Sequence, residues 1–309
     1  MEPCAACGAP LSGTAPIQGF DRLHGTPGAF DVRVCGVCGS GRTFPLVSSE
    51  KLESFYPGSY GAHAAPASSL SRLLVGARVR WHYRRLLRRH PFGGLLRLSA
   101  GRLLDVGAGS GDLGVALEPL GWKVVGLEPS GDACQLGRRR GLEMIEGTLQ
   151  TVDAGELGPE YEAVVFQHSL EHVVDPGVDL ARARGLLRDG GLLLISVPNF
   201  GSWQRKMFGS AWFHLDLPRH RTHFTAEGLE RLLQDTGFTD WRFTTSTTTD
   251  GLPMSLQYRA LGHKRLRSGV ALYLAALFSL ALLPASLVLN ALRGGGDVLG
   301  ASAVRRAVR

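Results

Sequence analysis

The sequence predicts an α/β fold in which a mostly parallel sheet carries helices on both faces. From Arg102 onward, short apolar segments alternate with amphipathic ones, which is the pattern of βαβ units. Two Cys-x-x-Cys pairs precede this region, and an uncharged apolar run follows it. We expect five segments: a cysteine-rich module (1–48), a linker with a basic amphipathic helix (49–100), the α/β core (101–250), an apolar helical insertion (251–296), and a final strand and tail (297–309).

The N-terminal segment holds the two cysteine pairs and two short strand-like runs. The start Met-Glu-Pro-Cys has neither the basic nor the apolar region of a signal peptide, so we expect a reducing, cytoplasmic environment. In that environment paired cysteines favour metal over disulfides. Four thiolates close a tetrahedral zinc site with no open position, so the predicted metal is structural. The predicted ligands are Cys4, Cys7, Cys35 and Cys38, whereas Cys134 is expected to be buried in a helix.

Positive charge is concentrated in the second segment. The chain has a net charge of +7, and no acidic residue lies between Glu53 and Asp105. Apolar residues recur at helical spacing over residues 69–90, with arginines from Arg72 to Arg89 on the other face. Such a helix either binds an anionic partner, such as phosphate, nucleic acid or lipid, or simply presents a solvated face.

The core is expected to consist of short strands joined by helices. Strands are predicted at Leu103–Val106, Lys123–Leu127, Met144–Glu146, Ala163–Gln167, Leu192–Val197 and Trp241–Thr248, and helices at Leu113–Leu120 and Ala226–Thr236.

A glycine-rich loop follows the first core strand and has the features of a ligand-binding turn. Its glycines allow a sharp turn and close approach of the backbone to a ligand, and the following helix offers free N–H groups. Glu128 ends the next strand, where an acid accepts hydrogen bonds from ribose hydroxyls. Gly109–Gly114 also fits G-x-G-x-x-G, but the first glycine of that motif should directly follow the strand, and the residue at that position is Gly107. Asp105 suits an ammonium group better than a pyrophosphate.

The stretch from Gly101 to Phe238 resembles the class I S-adenosylmethionine (SAM)-dependent methyltransferases of types 11 and 23, which have a Rossmann-like sheet. The matching motifs are Asp105–Gly111, Glu128, Phe166–Pro176 ("LEHV-x-DP"), Leu186–Ile195 and Phe224–Phe238. One departure is Thr148, where the family often has Asp near the adenine. The resemblance implies SAM binding by Asp105, Gly107, Ala108, Gly109, Gly111, Glu128, Pro129, Thr148, Leu149 and Gln167.

The same resemblance implies that methyl transfer to oxygen needs a base, and histidine suits that task near neutral pH. The candidates are His220, His223 and His172. In sugar C-methyltransferases a Glu-His pair occupies the corresponding stretch. His220 matches that histidine, but Arg219 stands at the position of the glutamate, so oxygen is the expected acceptor atom. His172 could equally cap the loop after the fourth strand.

The apolar run Gly269–Leu292 reaches the length of a membrane span and is flanked by basic residues. Val298–Val304 is predicted to be the last strand, antiparallel between strands five and six of the family sheet. A single span would separate this strand from its sheet. We therefore expect Pro284 to divide the run into a helical hairpin at the membrane interface. The alternative is a hairpin buried in the protein or in a dimer.

The sequence as a whole predicts methyl transfer to a sugar, glycan or lipid-linked small molecule. The cysteine module supports this, because Phe30-x4-Cys35-x2-Cys38-Gly39 followed by Tyr56-Pro57 resembles the module that covers the substrate in sugar methyltransferases. The expected location is the cytoplasm, peripheral on an anionic inner membrane face. One alternative is an RNA methyltransferase, disfavoured because aromatic and basic residues are not interleaved. The other is a non-catalytic, SAM-binding assembly factor docked on the membrane.

Overall fold

The computed structural model describes residues 2–11, 15–48, 51–52, 54–56, 83, 86–87, 91–158, 160–263, 269–293 and 295–307, with the backbone alone for 269–280. The predicted basic helix at 69–90 therefore lies outside the described residues, apart from Tyr83, Leu86 and Leu87. Its arginines, from Arg72 to Arg89, are not among the described residues.

The described residues form strands, α-helices and short 3-10 segments. The strands are β1 (Ile17–Gly19), β2 (Phe30–Val34), β3 (Gly41–Phe44), β4 (Arg102–Val106), β5 (Lys123–Glu128), β6 (Glu143–Glu146), β7 (Tyr161–Gln167), β8 (Leu187–Pro198), β9 (Thr222–His223), β10 (Thr239–Ser246) and β11 (Val298–Val304). The helices are α1 (Asp112–Leu117), α2 (Gly131–Arg139), α3 (Ala154–Leu157), α4 (Pro176–Leu186), α5 (Trp203–Phe208), α6 (Ala226–Asp235), α7 (Gly251–Leu261) and α8 (Gly269–Leu292). The 3-10 segments are Phe92–Arg97, Glu118–Leu120, Gly209–Ala211 and Phe213–Leu215.

A seven-stranded sheet in the order β10-β11-β8-β7-β4-β5-β6 forms the centre of the fold. The strands from β8 to β6 are parallel, and each predicted core strand is present. β11 lies antiparallel between β8 and β10, as the sequence predicts. β8 begins at Leu187 rather than Leu192, because Leu187 pairs with Tyr161 of β7 and a register shift separates this pair from the next one, Ala163 with Leu192.

The order of the central strands creates a site at one edge of the sheet. β5 and β7 lie on opposite sides of β4. After β4 the chain first adds strands on the β5 side of the sheet and then crosses to the other side of β4 to form β7. Ligands of open α/β sheets bind at such a switch point, beyond the carboxyl ends of the strands. The loops after β4, β5 and β7 meet there.

The cysteine module is part of a second, four-stranded sheet in the order β1-β2-β3-β9. It has three strands of its own rather than the two that the sequence predicts, because the short β1 pairs with β2. The fourth strand comes from the core, through the pairs Gly41–His223 and Arg42–Thr222. The module is therefore built directly onto the segment that follows β8.

The apolar insertion between β10 and β11 contains α7 and α8. α8 continues through Pro284, so the predicted division into a hairpin is wrong. A proline removes one helical hydrogen bond, but the surrounding leucines and alanines are strong helix formers. Asn290 ties α8 to the core, accepting from Trp203 Nε1 at 2.5 Å and donating to Thr247 Oγ1 at 2.6 Å. In the described part of the chain, no helix has both the length and the apolar character that crossing a membrane requires.

Candidate active site and cysteine cluster

The loop between β4 and α1 requires its glycines. Gly107, Gly109 and Gly111 have φ values of 77°, 54° and 80°, in the left-handed region that favours glycine. A Cβ at Gly107 would lie 2.4 Å from Ser169 Cβ, and one at Gly111 would lie 2.1 Å from Leu142 Cδ1. A side chain at Gly107 or Gly111 would therefore collide with the protein itself, and the positive φ values favour glycine at all three positions of the loop.

Glu128 is fixed at the carboxyl end of β5 and is buried. Its Oε2 accepts a hydrogen bond from the Gly109 N–H at 2.9 Å, and its Oε1 accepts one from the Ser130 N–H at 3.0 Å. Each carboxylate oxygen keeps acceptor capacity beyond these bonds. The carboxylate thus holds the glycine loop in place and still suits a pair of ribose hydroxyls.

Asp105 lies in β4 immediately before the loop and is buried. Burial, together with the charges of Glu128 and Asp112, raises the pKa of Asp105 to about 7. An adjacent ammonium group would offset this cost, because an opposite charge favours the ionised carboxylate. Asp105 is therefore suited to a cationic amine such as that of a methionine moiety.

The other predicted cofactor residues lie along the same edge of the sheet. Thr148 and Leu149 follow β6, where Leu149 is buried and its carbonyl accepts a hydrogen bond from Arg182. Gln167 ends β7 and its Oε1 accepts from Tyr83 Oη at 3.2 Å, while Pro129 is exposed after β5. Their contacts with SAM stay a prediction.

Two of the three predicted catalytic histidines come together around a buried carboxylate. The ring centroids of His172 and His220 are 4.7 Å apart. One nitrogen of each ring and one oxygen of Glu171 lie within 4.8 Å of one another. The backbone brings them together, because the Glu171 carbonyl accepts hydrogen bonds from the N–H groups of Arg221 and Thr222 at 2.8 and 3.1 Å.

Hydrogen bonds fix the orientation of both rings. Nδ1 of His220 donates to the His214 carbonyl at 2.9 Å, and Nδ1 of His172 donates to the Arg219 carbonyl at 2.9 Å. Tyr56 Oη lies 3.2 Å from the same nitrogen of His172. With Nδ1 as the donor, the neutral imidazole carries its lone pair on Nε2. Both rings are therefore held in the tautomer that leaves Nε2 available.

The ionisation states in this cluster follow from burial and from the neighbouring rings. Burial and the nearby His172 lower the pKa of His220 to about 4. Burial alone would raise the pKa of Glu171, but the imidazoles of His168, His172 and His220 lower it to about 2. Near neutral pH the cluster therefore holds a neutral His220 beside an ionised Glu171.

His223 lies apart from this arrangement and links the two sheets. It is buried in β9, and its Nε2 lies 2.9 Å from Thr43 Oγ1. The Thr43 hydroxyl donates to the His220 carbonyl at 2.6 Å, so the His223 nitrogen is the donor to Thr43. Nε2 of His223 is thus occupied by a structural bond, and a catalytic role for this residue stays a prediction.

Arg219, which stands where sugar C-methyltransferases have glutamate, has a structural place. It is buried, and its Nη2 lies 2.7 Å from Asp21 Oδ1 and 2.6 Å from Asp216 Oδ1. Its Nη1 donates to the Phe55 carbonyl at 2.8 Å. The guanidinium thus connects the N-terminal module to the segment carrying His220.

Glu171, Asp216 and Asp21 also belong to this region, although none of them is among the candidate residues predicted from the sequence. The sequence could have indicated Glu171, because it precedes His172 in the "LEHV" motif. No sequence pattern indicates Asp216 and Asp21, since their shared partner Arg219 is far from Asp21 along the chain.

The four predicted cysteine ligands form a single cluster. Sγ of Cys4 lies 3.7 Å from that of Cys38, and Sγ of Cys7 lies 3.6 Å from that of Cys35. A tetrahedral zinc with bonds of about 2.3 Å places its sulfurs about 3.8 Å apart. Gly8 and Gly39 turn each pair with φ values of 69° and 71°. The cluster is compatible with a zinc ribbon.

The cluster is anchored to the core through its second pair. Thr225, the N-cap of α6, donates from Oγ1 to the Cys38 carbonyl at 2.6 Å, and its N–H donates to Ser40 Oγ at 3.2 Å. Cys134 lies outside the cluster, buried in α2 as predicted.

Comparison with known proteins agrees with this geometry. A family described as a methyltransferase domain matches residues 80–242, just over half of the chain. A ubiquinone biosynthesis O-methyltransferase of Bradyrhizobium sp. (strain ORS 278) is 32% identical over 127 residues, 40% of this chain and 50% of that protein. One from Xanthomonas oryzae pv. oryzae (strain PXO99A) is 30% identical over 136 residues, 42% of this chain and 57% of that protein. The chain spans about half the length of these curated relatives.

A solved structure shows the same fold. It is described as the complex between the Haloferax volcanii Trm112 methyltransferase activator and the putative methyltransferase. The similarity has a TM-score of 0.50 at 15% identity and covers 80% of this chain and 98% of that one. The chain therefore belongs to the methyltransferase domain family, and its central sheet has the Rossmann-like fold of class I methyltransferases.

Proposed function

We propose that the protein transfers the methyl group of SAM to a hydroxyl oxygen of a small-molecule acceptor, with His220 receiving the proton. The observation that carries this proposal is the orientation of His220, whose Nδ1 is bonded to the His214 carbonyl so that Nε2 is free to accept. Its lowered pKa keeps the ring unprotonated near neutral pH. The names of the relatives, which are O-methyltransferases, support oxygen as the acceptor atom.

In this proposal one set of residues binds SAM and another removes the proton from the acceptor. SAM supplies the activated methyl group when bound. The residues proposed to hold it are Asp105, Gly107, Ala108, Gly109, Gly111, Glu128, Pro129, Thr148, Leu149 and Gln167. His220 takes the hydroxyl proton at Nε2 as the new C–O bond forms and the C–S bond breaks, leaving its electron pair on sulfur. The ionised Glu171 carboxylate, whose Oε1 lies 3.9 Å from Nε2 of His220, stabilises the imidazolium that results. His172 orients the acceptor beside it.

The acceptor is proposed to be a sugar, a glycan or a lipid-linked molecule with neighbouring hydroxyl groups. The cysteine module supports this, because it reaches the histidines directly. Thr43 of β3 donates to the His220 carbonyl, and Tyr56, in the linker that follows the module, contacts His172. The module therefore shapes the acceptor side of the site, as the resemblance to sugar methyltransferases implies.

Substitution of His220 tests the proposal. Incubation of the protein with labelled SAM and extracted glycans and lipids, followed by mass spectrometry, identifies the methylated product. Loss of a general base typically lowers the rate by ~100-fold or more, so His220→Ala should lose turnover while keeping its affinity for SAM. His263→Ala, at an exposed position, is the control. Normal turnover by His220→Ala would contradict the role of this residue.

We also propose one structural zinc ion per chain, bound by Cys4, Cys7, Cys35 and Cys38. The support is the spacing of the sulfurs, which is within ~0.2 Å of that in a tetrahedral thiolate site. All four positions of the metal would be filled by protein, so it would stabilise the module on which β9 and His220 depend.

Peripheral membrane attachment is proposed through the C-terminal half of α8. Three neighbouring apolar side chains are exposed there: Leu287 at 42%, Val288 at 57% and Leu292 at 76%. Such a group of exposed apolar side chains is typical of a surface that contacts a membrane or a partner. Flotation with anionic vesicles tests this proposal. The double variant Val288→Glu and Leu292→Glu should no longer float, whereas Val174→Glu, at another exposed apolar residue, should behave like the wild type. A wild-type protein that never floats would rule the attachment out.

A further inference from the structure

Beside the glycine loop, a second cluster has the composition of a metal site. Glu171, His172 and His220 each offer one ligand atom, and these atoms lie within 4.8 Å of one another. We propose that this triad binds a divalent cation of the borderline class, with Zn²⁺ as the representative, at the edge of the sheet where the acceptor binds. The chemistry of this inference rests on the proposed function, whereas the binding of the cation does not.

The first argument is the state of the Glu171 side chain. It is 1% exposed, and neither of its carboxylate oxygens accepts a hydrogen bond from any residue that the structure describes. Nδ1 of His168 lies 3.5 Å from Oε1, which is longer than a well-formed hydrogen bond. A buried carboxylate normally makes several hydrogen bonds, because its desolvation is costly. A bound cation would supply the missing partner.

The second argument is the orientation of the two imidazoles. Histidines that bind metals nearly always donate their other N–H to a backbone carbonyl or a carboxylate, which fixes the tautomer and raises the basicity of the ligating nitrogen. Both rings show this arrangement, His220 with the His214 carbonyl and His172 with the Arg219 carbonyl, each at 2.9 Å. In both rings Nε2 is thus prepared as a ligand.

The carbonyls that orient the rings are themselves held in place. The ring of His214 lies 2.9 Å from the buried Oδ2 of Asp297, and Arg219 is fixed between Asp21 and Asp216. Asp216 also lies 3.8 Å from Nε2 of His220, but its carboxylate is engaged by Arg219 at 2.6 and 3.0 Å. Arg219 thus supports the triad without belonging to it.

The ligand types and the spacing define the class of metal. Two imidazoles and one carboxylate suit zinc and its neighbours, whereas Mg²⁺ prefers oxygen ligands and several waters. Bonds of about 2.1 Å in a tetrahedral site place ligand atoms about 3.4 Å apart. The 3.9 Å between Nε2 of His220 and Oε1 of Glu171 would therefore contract by about half an ångström on binding, and a pair at the 4.8 Å limit of the cluster would contract by about 1.4 Å.

Three protein ligands leave at least one position open for an oxygen of the acceptor. A cation there would lower the pKa of a coordinated hydroxyl, and the proton would pass to solvent. The oxygen would then form the bond to the methyl carbon as the C–S bond breaks and its electron pair stays on sulfur. In this form of the reaction His220 and His172 act as ligands, and the cation replaces His220 as the group that activates the hydroxyl.

Metal stoichiometry tests the site independently of activity. Elemental analysis of the full-length protein after equilibration with Zn²⁺ should give two equivalents, one for the cysteines and one for the triad. Glu171→Gln preserves the shape of the side chain but removes its charge, and it should bind the second equivalent more than ~10-fold more weakly. His172→Ala should do the same. His168→Asn is the matched control, since it alters a neighbouring ring outside the triad, and it should keep both equivalents.

Two further measurements separate folding and function from binding. SAM affinity should be unchanged in all three variants, which shows that the sheet is intact. A single equivalent in the wild type, or a second one that persists in Glu171→Gln, would overturn the site. A wild-type protein that binds one equivalent yet methylates an acceptor would overturn the metal site and leave the proposed function standing. A wild-type protein that binds two equivalents of zinc but transfers no methyl group would overturn the proposed function and leave the metal site standing.

Discussion

Replacing Asp105 with asparagine should stabilise the SAM-free protein at alkaline pH. The pKa of Asp105 is raised from 3.8 to about 7, mainly by burial and also by Glu128 and Asp112. The folded state therefore holds this proton more tightly than the unfolded state. The free energy of unfolding therefore falls as the pH rises from about 4 to about 7. Above pH 7 the full cost of holding an ionised Asp105 in the folded state is present. About three pH units at 1.36 kcal/mol each give an upper limit of about 4 kcal/mol.

Urea unfolding at several pH values measures this effect. At pH 8 the free energy of unfolding of Asp105→Asn should exceed that of the wild type by up to about 4 kcal/mol, and the difference should shrink as the pH falls toward 4. The exposed Asp235→Asn variant should show no such trend. Asp105→Asn should also bind SAM more weakly, and SAM binding to the wild type near pH 7 should release a proton, measurable by calorimetry in different buffers. Equal stabilities at pH 8, or proton uptake on binding, would refute the reasoning.

Three further substitutions address the cofactor, the metal and the buried ion pairs. Glu128→Gln should weaken SAM binding by about 1.5–3 kcal/mol, because it removes a charged acceptor, and unchanged calorimetric affinity would contradict its role. Cys35→Ser should lower both the zinc content and the melting temperature, and full zinc content by elemental analysis would exclude the cysteine site. Arg219→Met should cost about 3–5 kcal/mol in urea unfolding, because it leaves the buried Asp21 and Asp216 without their partner. Wild-type stability would show that the ion pairs of Arg219 with Asp21 and Asp216 do not stabilise the fold.

The elements of the core were predictable because their signals are local. Alternation of apolar strands with amphipathic helices places β4 to β8 within a few residues of their observed bounds, and the glycine loop lies where its turn is required. Val298–Val304 was placed correctly as the last strand, antiparallel between its neighbours. The cysteine cluster was predicted for the same reason, since the Cys-x-x-Cys spacing within each pair is a local pattern typical of zinc ligands.

Pro284 shows where a local rule fails. The sequence predicts a break in the apolar run, but helix continuity depends on the sum of many neighbouring propensities and on packing. The bonds of Asn290 with Trp203 and Thr247 hold the second half of α8 against the core. No pattern within the run itself indicates these partners.

The fold class, the glycine loop and the candidate histidines could be predicted from the sequence, because each depends on residues that are close together in the chain. Which of these histidines lie close together depends on the tertiary structure. His220 and His172 share the buried Glu171, whereas His223 is bonded to Thr43 of the cysteine module. The physical reason is that β9 joins the module to the segment after β8, so the environment of each ring is set by strand pairing between residues far apart in sequence.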